Sequence, residues 1–335
     1  MDDIAPPLPV HFQDVLQAAE RIRSHAVVTP LLSNPWLDER VGGRILLKAE
    51  TLQRTGSFKF RGAFNKLRSL SPQQLGRGVV AYSSGNHAQG VAAAAKILGA
   101  PATIVMPADA PAIKIANTRA YGAEVIFYDR RSRESREAVA EKIIAERGAT
   151  LVPPYEDPFI IAGQGTCGLE VAKQAEAAGL VPDVMLVCCG GGGLTAGIAT
   201  ALSIFLPETK IYAVEPEGHD DTRRSLESGE RQTNADAPDS ICDAILTPTP
   251  GPTTFAINRR LLSGGLAVSE EAVLHAVAFA FHRLKLVVEP GGAVCLAAVL
   301  DGRLPVEGRT IALTLSGGNI DPAMMQRALE RYPAP

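Results

Sequence analysis

Between Gly78 and Val152 short apolar runs alternate with segments of helical spacing, and this alternation restricts the fold more than any other feature. Val79-Val80-Ala81-Tyr82 precedes an alanine-rich helix over 89–98, Ala102–Met106 precedes a helix over 112–121, and Glu124–Tyr128 precedes a helix over 133–146 and a strand at Thr150–Val152. Strands that follow one another through helices run parallel, and such a sheet is covered on both faces. A second unit repeats the grammar: a helix over 168–178, the apolar strand Val184–Cys189, a helix over 194–205, a strand at Ile211–Val214, helices over 270–284 and 292–300, and a strand at Thr310–Leu315. An amphipathic helix over 12–25 and an extended piece at 44–48 come first, and the loop from Pro153-Pro154 to Gln164 is the expected crossing point. The expected fold class is α/β, two open, mostly parallel twisted sheets covered by helices. Residues 1–77 and 153–335 would form a large domain and residues 78–152 a small one.

Ligands of open parallel sheets bind beyond the carboxyl ends of the strands. Gly190-Gly191-Gly192-Gly193 lies between a strand and a helix, where bare backbone amides and the helix dipole can cradle a phosphate. Ser83-Ser84-Gly85-Asn86-His87 is a hydroxyl- and amide-rich loop at another helix start; it suits a small carboxylate or serves as a cap. Ser316-Gly317-Gly318-Asn319 is a third polar turn.

The remaining singular stretch is Thr55-Gly56-Ser57-Phe58-Lys59-Phe60-Arg61-Gly62-Ala63, a lysine between two aromatic residues, with Ser57 as a helix-start residue, opening a helix through Leu67. Desolvation there lowers an amine's pKa, and a neutral amine can form a Schiff base with an aldehyde. The alternative is a stem packed on Phe58 with its head in water. A dinucleotide site competes for the glycines: Gly191-x-Gly193-x-x-Ala196 fits its fingerprint and Glu215 stands where a ribose-binding carboxylate belongs. That reading leaves Lys59 without a role, whereas a Schiff-base lysine together with a phosphate cradle is what pyridoxal phosphate requires.

At 335 residues, 46% hydrophobic and 21% charged, the chain can bury the cores of two domains. A net charge of -3 gives no electrostatic reason to expect nucleic acid or an anionic membrane. The basic run Arg130-Arg131-Ser132-Arg133 is followed by Glu134 and Glu137 and reads as solvated helix surface. The acidic, proline-rich start is unlike a signal peptide, and no apolar run approaches the roughly 20 residues of a bilayer span, so a cytoplasmic protein is expected. Cys167, Cys188, Cys189, Cys242 and Cys295 form no C-x-x-C pair and read as buried small hydrophobes.

The motifs T-G-S-F-K-F-R-G-A, S-S-G-N-H-A-Q-G, A-G-Q-G-T at 162–166, G-G-G-G-L-T-A-G and L-S-G-G-N together resemble the fold-type II pyridoxal-phosphate enzymes, specifically the serine/threonine dehydratase and serine racemase branch, from about residue 15 to 325. The resemblance implies a tryptophan synthase β-like fold with Lys59 as the Schiff-base lysine and Phe58 near the cofactor ring. It places Asn86 on the pyridoxal 3′-oxygen, Gly190, Gly191, Gly192, Gly193 and Leu194 on the phosphate, and Ser316 on the pyridine nitrogen. Ser83, Ser84, Gly85, Asn86 and His87 would bind the substrate carboxylate. A hydroxyl at Ser316 does not force the ring to stay protonated, which favours a short-lived carbanion. The implied reaction is loss of water from a β-hydroxy amino acid, Lys59 removing the α-proton, to give a 2-oxo acid and ammonia.

Threonine or serine is the substrate expected first, with 3-hydroxyaspartate dehydratase and serine racemase as alternatives. Arg136 matches an arginine that reaches a second carboxylate in racemase-like members, or it is an exposed helix residue. Ser84 matches their proton carrier on the face opposite Lys59, or it only binds carboxylate. The stretch Val214–Asp221 is similar to their divalent-cation site, with Glu215, the backbone carbonyl of His219 and Asp221 as ligands to magnesium or calcium. Arg54, Gln89, Tyr121 and Lys285 match positions that hold a nucleotide effector, and a homodimer is implied. The segment Ser240–Thr254 departs from both branches. No appended regulatory domain is expected. A cysteine-synthase-like β-replacement enzyme is disfavoured because its T-G-N-T loop is here Ser84-Gly85-Asn86-His87.

Overall fold

The computed structural model describes residues 7–83, 85–110, 112–129, 135–234 and 238–334; Ser84 and the basic run at 130–133 lie outside them. The strands in chain order are β1 (Leu31–Ser33), β2 (Arg44–Ala49), β3 (Val79–Tyr82), β4 (Ala102–Pro107), β5 (Glu124–Tyr128), β6 (Thr150–Leu151), β7 (Val184–Cys188), β8 (Lys210–Pro216), β9 (Gly264–Val268) and β10 (Thr310–Leu315). Among the described residues they form a six-stranded sheet ordered β1-β2-β10-β7-β8-β9 and a four-stranded sheet ordered β5-β4-β3-β6. Every neighbouring pair is parallel except β1 with β2.

The two-residue period of a strand explains how one apolar run serves two cores. In β7, Val184, Leu186 and Cys188 pack with helices Glu270–Phe279 and Pro290–Leu300 on one face. Met185 and Val187 pack with helices Pro158–Ala177 and Gly193–Phe205 on the other. Fully burying such a side chain contributes about 1.5–3 kcal/mol, so the continuous run secures a central position in the sheet. β7 lies between β10 and β8, and the chain order reverses at the β10–β7 pair. The carboxyl ends of β7 and β10, carrying the glycine run and Ser316, therefore lie side by side at a crevice.

Three local expectations are corrected. The helix expected to begin at Gly168 spans Pro158–Ala177, capped by Asp157, whose carboxylate accepts from the amides of Phe159 and Ile160. Its glycines resemble loop residues but permit close helix packing: a Cβ on Gly163 would lie 2.6 Å from Gly62 Cα, and one on Gly165 2.7 Å from the Gly197 carbonyl. β9 and the helix Pro252–Leu261 had no counterpart in the sequence reading, because the proline-rich stretch before them masks the period. The helix expected over 270–284 is α-helical to Phe279 and widens into a π turn that ends where Lys285 takes φ 61°.

Candidate active site

Lys59 is the first residue of helix Lys59–Arg68, and the segment before it is tied to the end of β10. Phe58 N donates to Ser316 O (3.2 Å), Gly318 N donates to Gly56 O (2.9 Å), and Asn319 Nδ2 donates to Thr55 O (2.8 Å). The lysine thus enters the crevice beside the glycine run. Its Nζ donates to Pro154 O (2.9 Å) and lies 5.1 Å from the centre of the Phe58 ring. Phe60 is fully buried against Phe64 instead, so one ring flanks the amine rather than two. Ser57 does not cap the helix; Phe58 holds that position, and the Ser57 hydroxyl is buried with no partner among the described residues.

Lys59, Ser83, Gly85, Asn86, His87, Arg136, Ser316 and the run Gly190–Leu194 all line one cavity of about 220 Å³. Burial lowers the Lys59 amine to about 8, an effect the nearby Glu289 carboxylate partly opposes. At pH 7 roughly a tenth of such an amine is neutral, against about 0.03% for an ordinary lysine. Burial also holds His87 at about 3, helped by the Lys59 charge, so its ring is neutral. His87 Nε2 bonds to the Val152 carbonyl (2.8 Å), and its Nδ1 is buried with no partner among the described residues.

The glycine run fits a phosphate group. Gly192 has φ 86° and caps the helix Gly193–Phe205 without a side-chain bond, leaving the first amides of the helix free to meet an anion. A Cβ on Gly191 would stand 2.3 Å from the Tyr155 ring, so the wall needs a bare backbone there. The Thr195 hydroxyl, also on the cavity, is buried with no partner among the described residues.

The helix after β3 begins at Asn86, three residues earlier than expected. Asn86 Nδ2 donates to Glu289 Oε1 (2.5 Å), and Asn86 Oδ1 accepts from Asn319 Nδ2 (2.7 Å). Glu289 is the principal residue that sequence reasoning missed. Burial lifts its carboxyl to about 7, and the Asn86 bond opposes that rise. It precedes Pro290-Gly291-Gly292 and looks like a helix cap, yet its side chain makes no capping bond and turns to Asn86 instead. Lys114 and Asp243, which pair across the cavity mouth, and Tyr155 also had no sequence signal.

Arg136 lies with its guanidinium 5.1 Å from the Tyr82 ring centre, and its Nε donates to Glu137 (2.7 Å). The positions matched to a nucleotide are dispersed in character: Gln89 is buried on the cavity, Arg54 Nε donates to the His25 carbonyl (3.0 Å), Tyr121 packs beside the core around Phe60, and Lys285 Nζ donates to the His282 carbonyl (2.7 Å). All five cysteines are buried thiols.

Glu215 and Asp221 are both buried, and the Asp221 carboxylate acts on Glu215. Glu215 accepts from the amides of Thr222 (3.0 Å) and Arg223 (2.8 Å), which leaves it turned into the protein and removes it from a ribose site. Burial, reinforced by Asp221, pushes its carboxyl well above the usual range. Asp221 Oδ1 accepts from Asn234 Nδ2 (2.6 Å), while Oδ2 is buried with no partner among the described residues. The His219 ring bonds to the Pro238 carbonyl (2.6 Å), so only its backbone oxygen could face a cation. No cluster of three or more His, Cys, Asp or Glu side chains forms a metal centre among the described residues, and none of their helices is long and apolar enough to cross a membrane.

An enclosed lysine amine beside a glycine phosphate cradle, at paired strand ends of a parallel sheet, defines an enzyme built around an aldehyde that carries a phosphate. Residues 22–317 match the model of the pyridoxal-phosphate dependent enzymes, and the chain belongs to that family. It is 43% identical over 310 residues to an L-threo-3-hydroxyaspartate ammonia-lyase from Pseudomonas sp, covering 92% of this chain and 95% of the relative. It is 39% identical over 321 residues to a serine racemase from Schizosaccharomyces pombe, covering 96% and 95%. Among solved structures it is similar to maize serine racemase, with TM-score 0.89, 35% identity and 96% and 98% of the two chains covered.

Proposed function

We propose that this chain is a pyridoxal-phosphate-dependent ammonia-lyase of β-hydroxy amino acids, releasing a 2-oxo acid and ammonia. The observation that carries the proposal is the convergence of the lowered Lys59 amine, the glycine cradle and Ser83, Gly85, Asn86 and His87 on one cavity. Bound pyridoxal phosphate supplies an aldehyde for the substrate amine and an electron sink for the α-carbon. Gly190–Leu194 would hold its phosphate, Phe58 would pack by its ring, Asn86 would bind the ring oxygen and the Ser316 hydroxyl would meet the ring nitrogen. Ser83, Gly85, Asn86 and His87 bind the substrate carboxylate, together with Ser84. Lys59, neutral in part near pH 7, takes the α-proton as general base. A proton carried by Ser84 on the opposite face would add racemase activity.

Threonine and serine are the first substrates of this reading. A second reading, 3-hydroxyaspartate, is supported by the place of Arg136 on the cavity wall and by the activity of the Pseudomonas relative. Release of 2-oxo acid from L-threonine, L-serine and L-threo-3-hydroxyaspartate by loaded enzyme is the test, and absence of turnover with all three would reject the lyase. If Arg136 binds the distal carboxylate, Arg136→Ala lowers kcat/KM for hydroxyaspartate by about tenfold or more and leaves serine within about threefold. No loss on either substrate would make Arg136 a bystander, and equal losses on both would show that it does not single out the distal carboxylate.

The same reading gives Glu215, Asp221 and the His219 carbonyl to magnesium or calcium, supported by the orphaned Asp221 oxygen, with a structural and charge-neutralising role. Chelator is then expected to lower the melting temperature of the wild type, and restored magnesium or calcium to recover it. Asp221→Ala should have a low melting temperature insensitive to both. A chelator-insensitive wild type would remove the cation. A cytoplasmic homodimer, a nucleotide effector at Arg54, Gln89, Tyr121 and Lys285, and a smaller domain of residues 78–152 complete the proposal.

A further inference from the structure

Two residues beyond Lys59, Arg61 is a fully buried guanidinium gripped by carboxylates from two other elements. Its Nε and Nη2 donate to Glu50 Oε2 and Oε1 (2.7 and 2.8 Å), and its Nη1 and Nη2 donate to Glu170 Oε1 and Oε2 (2.7 and 2.8 Å). Glu50 follows β2 directly, and Glu170 lies inside helix Pro158–Ala177. Lys48 Nζ completes the cluster, donating to Glu170 Oε2 (2.7 Å) and the Thr29 carbonyl (2.6 Å), while Thr29 Oγ1 donates to Glu50 Oε1 (2.5 Å). Two cations thus face two anions, with no net charge, and Arg61 is not among the residues that line the cavity.

Stability alone does not account for this arrangement. Taking four charges out of water is costly, and apolar side chains of the same volume commonly give an equal or more stable core. What paired carboxylates add is direction. The planar fork of arginine accepts two bidentate partners in a single orientation, which fixes the helix turn that carries it. Lys59 lies two residues earlier, an axial rise of about 3 Å. On its other side residues 55–58 are bonded to the end of β10. The lysine is therefore held between two anchors, the strand end that carries Ser316 and the ion cluster.

We propose that Arg61, clamped by Glu50 and Glu170, is a positioning residue that sets where the Lys59 amine stands relative to the phosphate cradle. The inference rests on the role assigned to Lys59 above. A misplacement near 1 Å at a reacting group can cost about 100-fold in rate, so a loosened clamp is visible in turnover before it is visible in binding.

The test uses loaded enzyme carrying Arg61→Lys, which keeps the charge and loses the fork, and Glu170→Gln, a milder change at a side chain 16% exposed. Either variant is expected to lower kcat by about tenfold or more, with KM for the amino acid within about threefold. The visible circular dichroism of the cofactor joined to Lys59 should lose at least about half its amplitude, since that signal reports a fixed asymmetric setting. A folded variant of either kind with a lower melting temperature but wild-type kcat and visible dichroism would overturn the proposal and leave a purely structural cluster. Borohydride trapping on Lys59 in the wild type is the separate control: failure there overturns the functional reading and this inference with it.

Discussion

Lys59→Met is expected to abolish turnover, by about 10⁴-fold or more, and to leave protein that binds pyridoxal phosphate without a borohydride-stable link. In the proposed reaction one side chain carries both the covalent attachment and the α-proton transfer, so losing it removes two contributions at once. The same substitution should stabilise the cofactor-free protein near neutral pH. Burial lowers the amine from 10.5 to about 8 in the folded state, so below pH 8 the fold bears the full cost of an enclosed ammonium. Between pH 8 and 10.5 the unfolded chain binds more protons than the folded one, and wild-type stability rises with pH. The advantage of Lys59→Met, on the order of 3 kcal/mol at pH 7, should shrink across that window, and chemical denaturation at pH 7 and pH 10 would measure it. A methionine variant that turns over normally would displace Lys59 from the reaction. An advantage independent of pH would mean that the amine is not desolvated.

The sequence disclosed the parts of this molecule that depend on local chemistry and hid those that depend on packing between distant segments. β7 was legible because a strand buried on both faces has to be apolar throughout, and Gly190–Gly193 because four residues without a Cβ suit close contact with an anion. The first half of helix Pro158–Ala177 was hidden by the same residue type put to another use. Gly163 and Gly165 let two further helices approach, and close helix contact leaves no signature that separates them from loop glycines. Glu289 was hidden for a related reason: its partner Asn86 lies 203 residues away, and nothing around Glu289 announces the pairing. Phe60 shows the opposite error, since its adjacency to Lys59 suggested a second ring beside the amine, whereas the helical turn carries its ring into the core. The positions of Glu215 and Asp221 follow from local order, with a carboxylate at a strand end accepting the first amides of the next helix.

Gly191→Ala is expected to weaken cofactor binding by about 100-fold or more while leaving the fold intact, a loss of about 2.7 kcal/mol in binding free energy. The added Cβ would stand 2.3 Å from Tyr155 Cδ1 and 2.4 Å from Cε1, far inside van der Waals contact. The backbone at Gly191 does not lie in the left-handed region, so the obstacle is the ring and not the conformation of the alanine. Two ways of relieving the clash are open, and each damages the cradle. If the ring moves, it moves within a cavity it already lines; if the loop moves, the amides that precede helix Gly193–Phe205 shift from the setting in which they would hold the phosphate. The core clusters on either side of β7 include neither Gly191 nor Tyr155, so the melting temperature of cofactor-free protein should change little. A double-mutant cycle with Tyr155→Ala separates the two routes. Recovery of most of the affinity in the double variant identifies the ring contact as the cause. Additive losses would place the damage in the loop backbone, and wild-type affinity in Gly191→Ala alone would remove this glycine from the phosphate cradle.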